Sequence, residues 1–345
     1  MINESSSVVS KLLDDQNTWL AMKILMFGIT PAISIFGFVG NILSIIVLVK
    51  HGMSKCSNIL LVNLSFCNII YLISFNSIPK IMYEAIWNHE YVGYSKSTCD
   101  ALFILFTLFT LCDYTFGLMG MTLPMLITVE RLVVIFFPFK FKQLLTPTRT
   151  WLIIVCMSFY WLSIFVYSSF WQVLDYSFDS VRNVSIGLFT KSTFYNDNPE
   201  SVAAIQNLMI YTSIIIPPIF TVTGCIVISI QIKISSAKRK KMTSSMRSTN
   251  RTTKTLLAVC AVYCVSSVVL SLPLFMPSEY ASYDLTDEAP SNVGKLFYEL
   301  ANIVSCVQSS SDFIVYIGLN KQFRDTLRKL FAFSFYPLKC CLYRV

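Results

Sequence analysis

The 345-residue chain is poor in charge: only 13% of its residues are charged, about half of the roughly 25% usual in a soluble domain. Hydrophobic residues make up 54% and the mean hydropathy is +0.62. The apolar mass lies in long blocks that the core of one soluble domain cannot hold. This composition excludes most soluble enzymes and nucleic-acid binders, so nucleic acid is not an expected partner. Histidine is scarce, with His51 and His89 alone, which argues against a histidine-based metal site. There is no P-loop, no GxSxG and no CxxC pair, so enzyme signatures are missing and the chain is not expected to be an enzyme. Cys260 and Cys264 share one face of one helix, and that alone is no metal site. Internal repeats and low-complexity stretches are absent. The first 20 residues hold Glu4, Asp14 and Asp15 without a basic n-region, so they do not read as a cleaved signal peptide.

Seven apolar blocks are present. A helix rising 1.5 Å per residue needs about 20 residues to cross roughly 30 Å of hydrocarbon. The blocks run at about 24–49, 58–82, 101–137, 150–174, 205–232, 255–277 and 293–318. They predict an all-α membrane protein: one seven-transmembrane helix bundle over 24–318, an N-terminal segment 1–23, and a tail 319–345. The third block is long, so its helix must tilt or project from the bilayer. Pro31, Pro124, Pro217, Pro218 and Pro273 fall inside blocks. Membrane helices tolerate such prolines and kink at them.

The net charge of +8 is resolved by sides. With the N-terminus extracellular, the cytoplasmic segments hold 20 of the 27 Lys and Arg, and the other side holds seven. Of the 19 acids, 15 fall outside, Glu130 and Asp325 inside, and Asp113 and Asp312 within the membrane. The positive-inside rule then predicts an extracellular N-terminus and a cytoplasmic C-terminus. Two sequons, at Asn3 and Asn183, fall on the outer side as glycosylation candidates.

Residue patterns inside the blocks are more specific. Gly40-Asn41 stands in span 1, and Asn63-Leu64-Ser65-Phe66-Cys67-Asn68 in span 2. Thr128-Val129-Glu130-Arg131-Leu132 with Phe137-Pro138 closes span 3, and Trp161 stands in span 4. Pro217-Pro218, Pro273 and Asp312-Phe313-Ile314-Val315-Tyr316 fall in spans 5, 6 and 7. In this order the set resembles the rhodopsin-like (class A) G-protein-coupled receptors. Ser309-Ser310-Ser311-Asp312-Phe313 and Arg239-Lys240-Lys241-Met242-Thr243-Ser244-Ser245 look like invertebrate FMRFamide-type neuropeptide receptors and nematode serpentine chemoreceptors. The sequence also departs from the pattern. Leu270-Ser271-Leu272-Pro273 replaces the usual CWxP, and residues 173–204 hold no Cys to partner Cys99 in the loop disulfide of that family.

The resemblance implies a plasma-membrane receptor for an extracellular ligand, coupled to a heterotrimeric G protein and regulated by receptor kinase and arrestin. A short amidated neuropeptide is the first expectation. A chemosensory or amine ligand is the alternative, and a transporter a distant one, disfavoured by the lack of repeats. A channel subunit would need a polar pore-lining stripe or a filter, and neither is found.

Asp113 lies 18 residues before Arg131, five turns or roughly 27 Å up the helix. An ionisable group there must face the bundle. In the resembled family this position meets the ligand, and here it would take an amine or the guanidinium of an Arg near an amidated end. A carboxylate merely bonded to its neighbours is the competing reading. Tyr114, Gly117, Gln206, Glu299 and Asn302 complete the expected pocket. Asn68 and Asp312 look like a reciprocal exchange of the family's span-2 Asp and span-7 Asn, which argues that they touch. The pair reads as a polar switch, also a seat for a sodium ion, or as packing glue. No other cofactor is expected. Glu130-Arg131 reads as a charge pair released on activation, with Tyr316 and Pro273 in the same switch set. Residues 233–254 hold eight basic residues, no acidic one and nine Ser or Thr, a loop for the G protein, kinases and anionic membrane lipid. Residues 321–335 alternate as an amphipathic surface helix, and Cys340 and Cys341 are palmitoylation candidates.

Overall fold

The structure, a computed structural model, describes residues 14–82, 95–137, 139–179, 184–238, 247–275 and 292–341. Among the described residues, six helices are long and apolar enough to cross a membrane: α1 (Asp15–Lys50), α2 (Cys56–Met82), α3 (Lys96–Phe136), α4 (Pro147–Trp171), α5 (Pro199–Ile234) and α7 (Asn292–Leu319). The seventh, α6 (Arg247–Ser271), has its apolar part at Leu257–Ser271. A further helix, α8 (Lys321–Cys341), follows α7 directly. Helices are the form in which these apolar runs satisfy every backbone group internally where water is absent. Together they make the seven-transmembrane bundle.

α1 begins nine residues before the apolar block does, because Asp14 caps it by accepting from the Asp15 N–H at 2.9 Å. Residues 15–23 are therefore helical. The helix widens into a π-turn at Ile24–Ile29, where the Thr30 hydroxyl donates to the Leu25 carbonyl at 2.8 Å. A second π-turn, Ile210–Ile215 in α5, precedes Pro217-Pro218, two residues that cannot donate to the turn before them.

The fourth block stops being helical before 174. At Gln172 the chain enters a two-stranded antiparallel hairpin, β1 (Gln172–Asp179) and β2 (Val184–Lys191). It is the one sheet among the described residues, a small addition to an otherwise all-α bundle. The hairpin rests on the first turns of α3. Phe189 lies 5.4 Å from Phe103 and 5.2 Å from Phe106 between ring centroids, and the Tyr176 hydroxyl donates to Asp100 Oδ1 at 2.6 Å. Cys99 is buried in the same cluster. α3 has 41 residues, about 60 Å at helical rise, and its extra length is the platform that carries the hairpin.

The core joins Leu60 and Leu64 of α2, Met119, Leu123 and Ile127 of α3, Trp161 of α4 and Tyr316 of α7. α1 and α7 approach closely at Gly37 and Gly40, where an added Cβ would collide with Ser310 and Phe313. Asn41 ties the same seam by donating to the Gly37 and Ser309 carbonyls, both at 2.8 Å. At the opposite end from the hairpin, α8 docks through fully buried Phe323 against Phe313 and Tyr316. Arg324 donates to the Ile317 and Gly318 carbonyls at the end of α7.

Candidate ligand and switch sites

Three polar layers run down the bundle. At the α8 end, Glu130 and Arg131 are both buried, and Arg131 Nε lies 3.1 Å from Glu130 Oε2. Ser57, in the first turn of α2, completes the cluster. Its hydroxyl donates to Glu130 Oε1 at 2.8 Å and accepts from Arg131 Nη2 at 2.6 Å. No sequence signal singles out Ser57, because a lone serine at a helix start usually serves as a cap.

Mid-bundle, Asn68 Nδ2 donates to Asp312 Oδ2 at 3.0 Å, so the two exchanged residues touch. Beside them is a small cavity bordered by Gly120 and Pro124 of α3, Tyr263 of α6, and Gln308 and Ser311 of α7. Pro124 has no N–H, so the Gly120 carbonyl lacks its usual helical donor. The Tyr263 hydroxyl and the Gln308 amide oxygen are buried without a hydrogen-bond partner. So is the Tyr316 hydroxyl. Asp312, Asn68 and Gln308 offer the oxygen donors that suit a sodium ion.

Toward the hairpin end, Asp113 is 9% exposed, and burial is what acts on its carboxylate. Tyr71 and Cys306 lie close enough to sense its charge. Gly117, one turn along α3 from Asp113, faces the Tyr71 ring, which a Cβ there would meet at 3.0 Å. Glu299 is 1% exposed and accepts from Asn302 Nδ2 at 3.4 Å. Its electrostatic partner is Lys80 of α2. Lys80 is itself 3% exposed. The ammonium donates to the Met26 carbonyl in the α1 π-turn at 2.6 Å and to Asn76 Oδ1 at 3.1 Å. The side-by-side charge count placed Lys80 and Glu299 on the outer surface. The structure corrects both: they are inside the bundle.

Asp113, Gly117, Glu299 and Asn302 thus belong to one connected region. Tyr114 does not join it: it is 41% exposed and stacks on Phe165 of α4 at 5.3 Å. A step of one residue turns a helix by about 100°, away from the face of Asp113. Gln206 is exposed on α5. At Pro273, α6 passes into the 3-10 turn Leu272–Phe275; the proline side chain lies outside the described residues. Asn3, Asn183, Pro138 and Arg239–Ser245 lie outside them too, as do the side chains of Cys340 and Cys341.

A seven-helix bundle with a buried Glu-Arg pair, a mid-bundle Asn-Asp bond and a surface helix after the last span is a multi-pass receptor of the G-protein-coupled type. The profile of the family described as "Serpentine type 7TM GPCR chemoreceptor Srw" matches residues 28–334, and the chain belongs to that family. It is also similar to the FMRFamide receptor of Drosophila melanogaster, at 21% identity over 311 residues, which is 87% of this chain and 52% of that protein. The chain spans about half the length of that relative.

Proposed function

We propose that this protein is a plasma-membrane receptor with its N-terminus extracellular, binding a short amidated peptide that carries an arginine and activating a heterotrimeric G protein. The observation that carries the reading is the charge of the buried hairpin-side region. Lys80 and Glu299 offset each other, and Asp113 is left as a buried carboxylate. Burying such a group is costly without a partner, and an incoming guanidinium or ammonium supplies one. The similarity to an FMRFamide receptor favours a peptide in which cationic and amide groups are close together. The excess of Lys and Arg in the segments at the α8 end supports the orientation. That end would meet the G protein, kinases and arrestin, with Glu130-Arg131 opening on activation. Asn68 and Asp312, with or without sodium, would form the relay between the two ends. Glycosylation at Asn3 and Asn183 and palmitoylation at Cys340 and Cys341 fit the same orientation.

The family description, a chemoreceptor, favours a second ligand class, a small cationic odorant or amine held by the same Asp113. The test is nucleotide exchange on a G protein in membranes containing the full chain. FMRFamide should stimulate exchange, and Asp113→Asn should reduce its potency about 10- to 100-fold, the range of one charge-assisted hydrogen bond. Stimulation by simple amines alone would move the ligand class to the second reading. Solute flux without exchange would refute the receptor reading.

A further inference from the structure

The starts of α1 and α7 enclose a groove of about 520 Å³, within the usual size of a ligand pocket. Two lysines line it: Lys23, in the last turn of Asp15–Lys23, and Lys295, in the first turn of α7. The Lys23 ammonium lies 3.9 Å from the centre of the Trp19 ring, which also lines the groove, and a cation is attracted to such an aromatic face. The acid of the lining is Asp15. Its carboxylate accepts from Asn292 Nδ2 at 2.8 Å and joins the two helices at the rim. Thr18 lines the groove as well. It is 3% exposed, and its hydroxyl is buried without a hydrogen-bond partner.

The sequence sets the depth of the groove in the membrane. Lys23 immediately precedes the apolar block that begins at residue 24, and Lys295 stands at the start of the block that begins at 293. Both cations therefore lie where hydrocarbon gives way to headgroups. Below them the lining turns apolar, with Met22 and Met26 buried and Phe27 exposed. Leu20 and Ile24 on the same helix are exposed too, a surface that suits acyl chains. Among the described residues, two ammoniums against one carboxylate leave the lining with a net charge of +1.

We infer that this groove is a phospholipid site, in which Lys23 and Lys295 hold the phosphodiester while the glycerol and the first acyl methylenes lie along Met26 and Phe27. A phosphodiester carries one negative charge and neutralises the lining. Its oxygens accept charge-assisted hydrogen bonds from the two ammoniums, and one of them supplies the acceptor that the Thr18 hydroxyl lacks. A diacylglycerol has the same chains but brings no charge to the lysines. Free phosphate has the charge but leaves the apolar half of the groove uncovered. A lipid seated here bridges the starts of α1 and α7.

The experiment is native mass spectrometry of the full-length receptor in detergent, titrated with phosphatidylcholine or with a diacylglycerol of the same chains. The wild type should hold one phosphatidylcholine at least ~10-fold more tightly than the diacylglycerol, the worth of one charge-assisted hydrogen bond. Lys23→Gln combined with Lys295→Gln should lose that preference. Lys23→Arg combined with Lys295→Arg keeps both charges and should retain it. Lys50→Gln, at the other end of α1, should match the wild type. Equal retention of the two lipids by the wild type, or a Gln pair that still prefers phosphatidylcholine, would overturn the assignment. Loss of the preference in the Gln and Arg pairs alike would overturn it too, since the charge would then not be what binds. Displacement of the bound lipid by inorganic phosphate would make the occupant a free anion and remove the lipid.

Discussion

The Ser57 hydroxyl stands between the two charges at the α8 end, donating to Glu130 Oε1 at 2.8 Å and accepting from Arg131 Nη2 at 2.6 Å. It thus ties the start of α2 to a pair otherwise contained within α3. An activated form that swings Arg131 away must break this contact as well as the ion pair. Ser57→Ala removes two charge-assisted bonds, of which water at the helix ends can replace part. A net loss of about 1–2 kcal/mol, roughly 5- to 30-fold in an equilibrium, is expected to appear as raised ligand-free nucleotide exchange. Ser57→Thr keeps the hydroxyl and should stay near wild type. Unchanged basal exchange in Ser57→Ala would mean that this contact does not hold the inactive form.

Asn68 and Asp312 provide a test by exchange. Asn68→Asp places a second carboxylate against the first, and two buried like charges disfavour each other. The single variant is expected to lose thermal stability and ligand response. Asn68→Asp combined with Asp312→Asn restores one carboxylate and one amide in contact, and should recover most of both. The coupling energy should fall within about 0.5–3 kcal/mol, the range for residues in direct contact. A double variant no better than the worse single one would show that each residue answers to other neighbours instead.

That contact was legible in the sequence because an Asp and an Asn had traded places in two recognisable motifs. The seven blocks were legible because about 20 consecutive apolar residues have few other uses. Lys80 was not. A lysine near the end of a span normally reads as an anchor that snorkels to the surface, and only the widened turn of α1 presents the Met26 carbonyl that holds it inward. Glu299 was assigned to the ligand region yet counted as outer charge, since a sequence position does not state which way a helix faces. Tyr114 was placed with Asp113 by adjacency, and helical twist separates them. The hairpin was hidden because apolar residues resume at Val173 and Leu174 right after Gln172, and a single polar residue does not separate a strand from the end of an apolar span.

Close packing of α1 on α7 yields a further expectation. A Cβ at Gly37 would run into the Ser310 hydroxyl and approach Leu72 Cδ1 to 2.9 Å, whereas one at Gly28 meets nothing within 4 Å. Ser310 also donates to the Ile33 carbonyl at 3.2 Å, so it cannot yield without losing that bond. Gly37→Ala should cost about 1–3 kcal/mol, as overpacking of a filled seam does, and lower the Tm of the detergent-solubilised receptor by several degrees. Gly28→Ala serves as the control and should be close to neutral. Equal Tm values for the two variants would indicate that the seam opens freely.

His51 links the end of α1 to the surface helix, with Nε2 2.9 Å from Thr326 Oγ1. Partial burial, and secondarily the Lys55 charge, lower its pKa below the ordinary 6.5. The imidazole is therefore neutral in the folded protein at pH 7. As pH falls below 6.5, the unfolded chain takes up a proton that the folded chain resists. The contribution of His51 to stability is thus fully present above pH 6.5 and is lost as pH drops toward the lowered folded-state value. Other groups also titrate in this window, so the measurement is a difference: Tm of the wild type against His51→Gln between pH 7.5 and 5.5. The glutamine variant cannot titrate and keeps a hydrogen-bonding side chain. The wild type should lose more Tm than the variant across that range. Parallel curves would show that the His51–Thr326 contact is indifferent to protonation, and a wild-type curve flatter than the variant's would reverse the sign argued here.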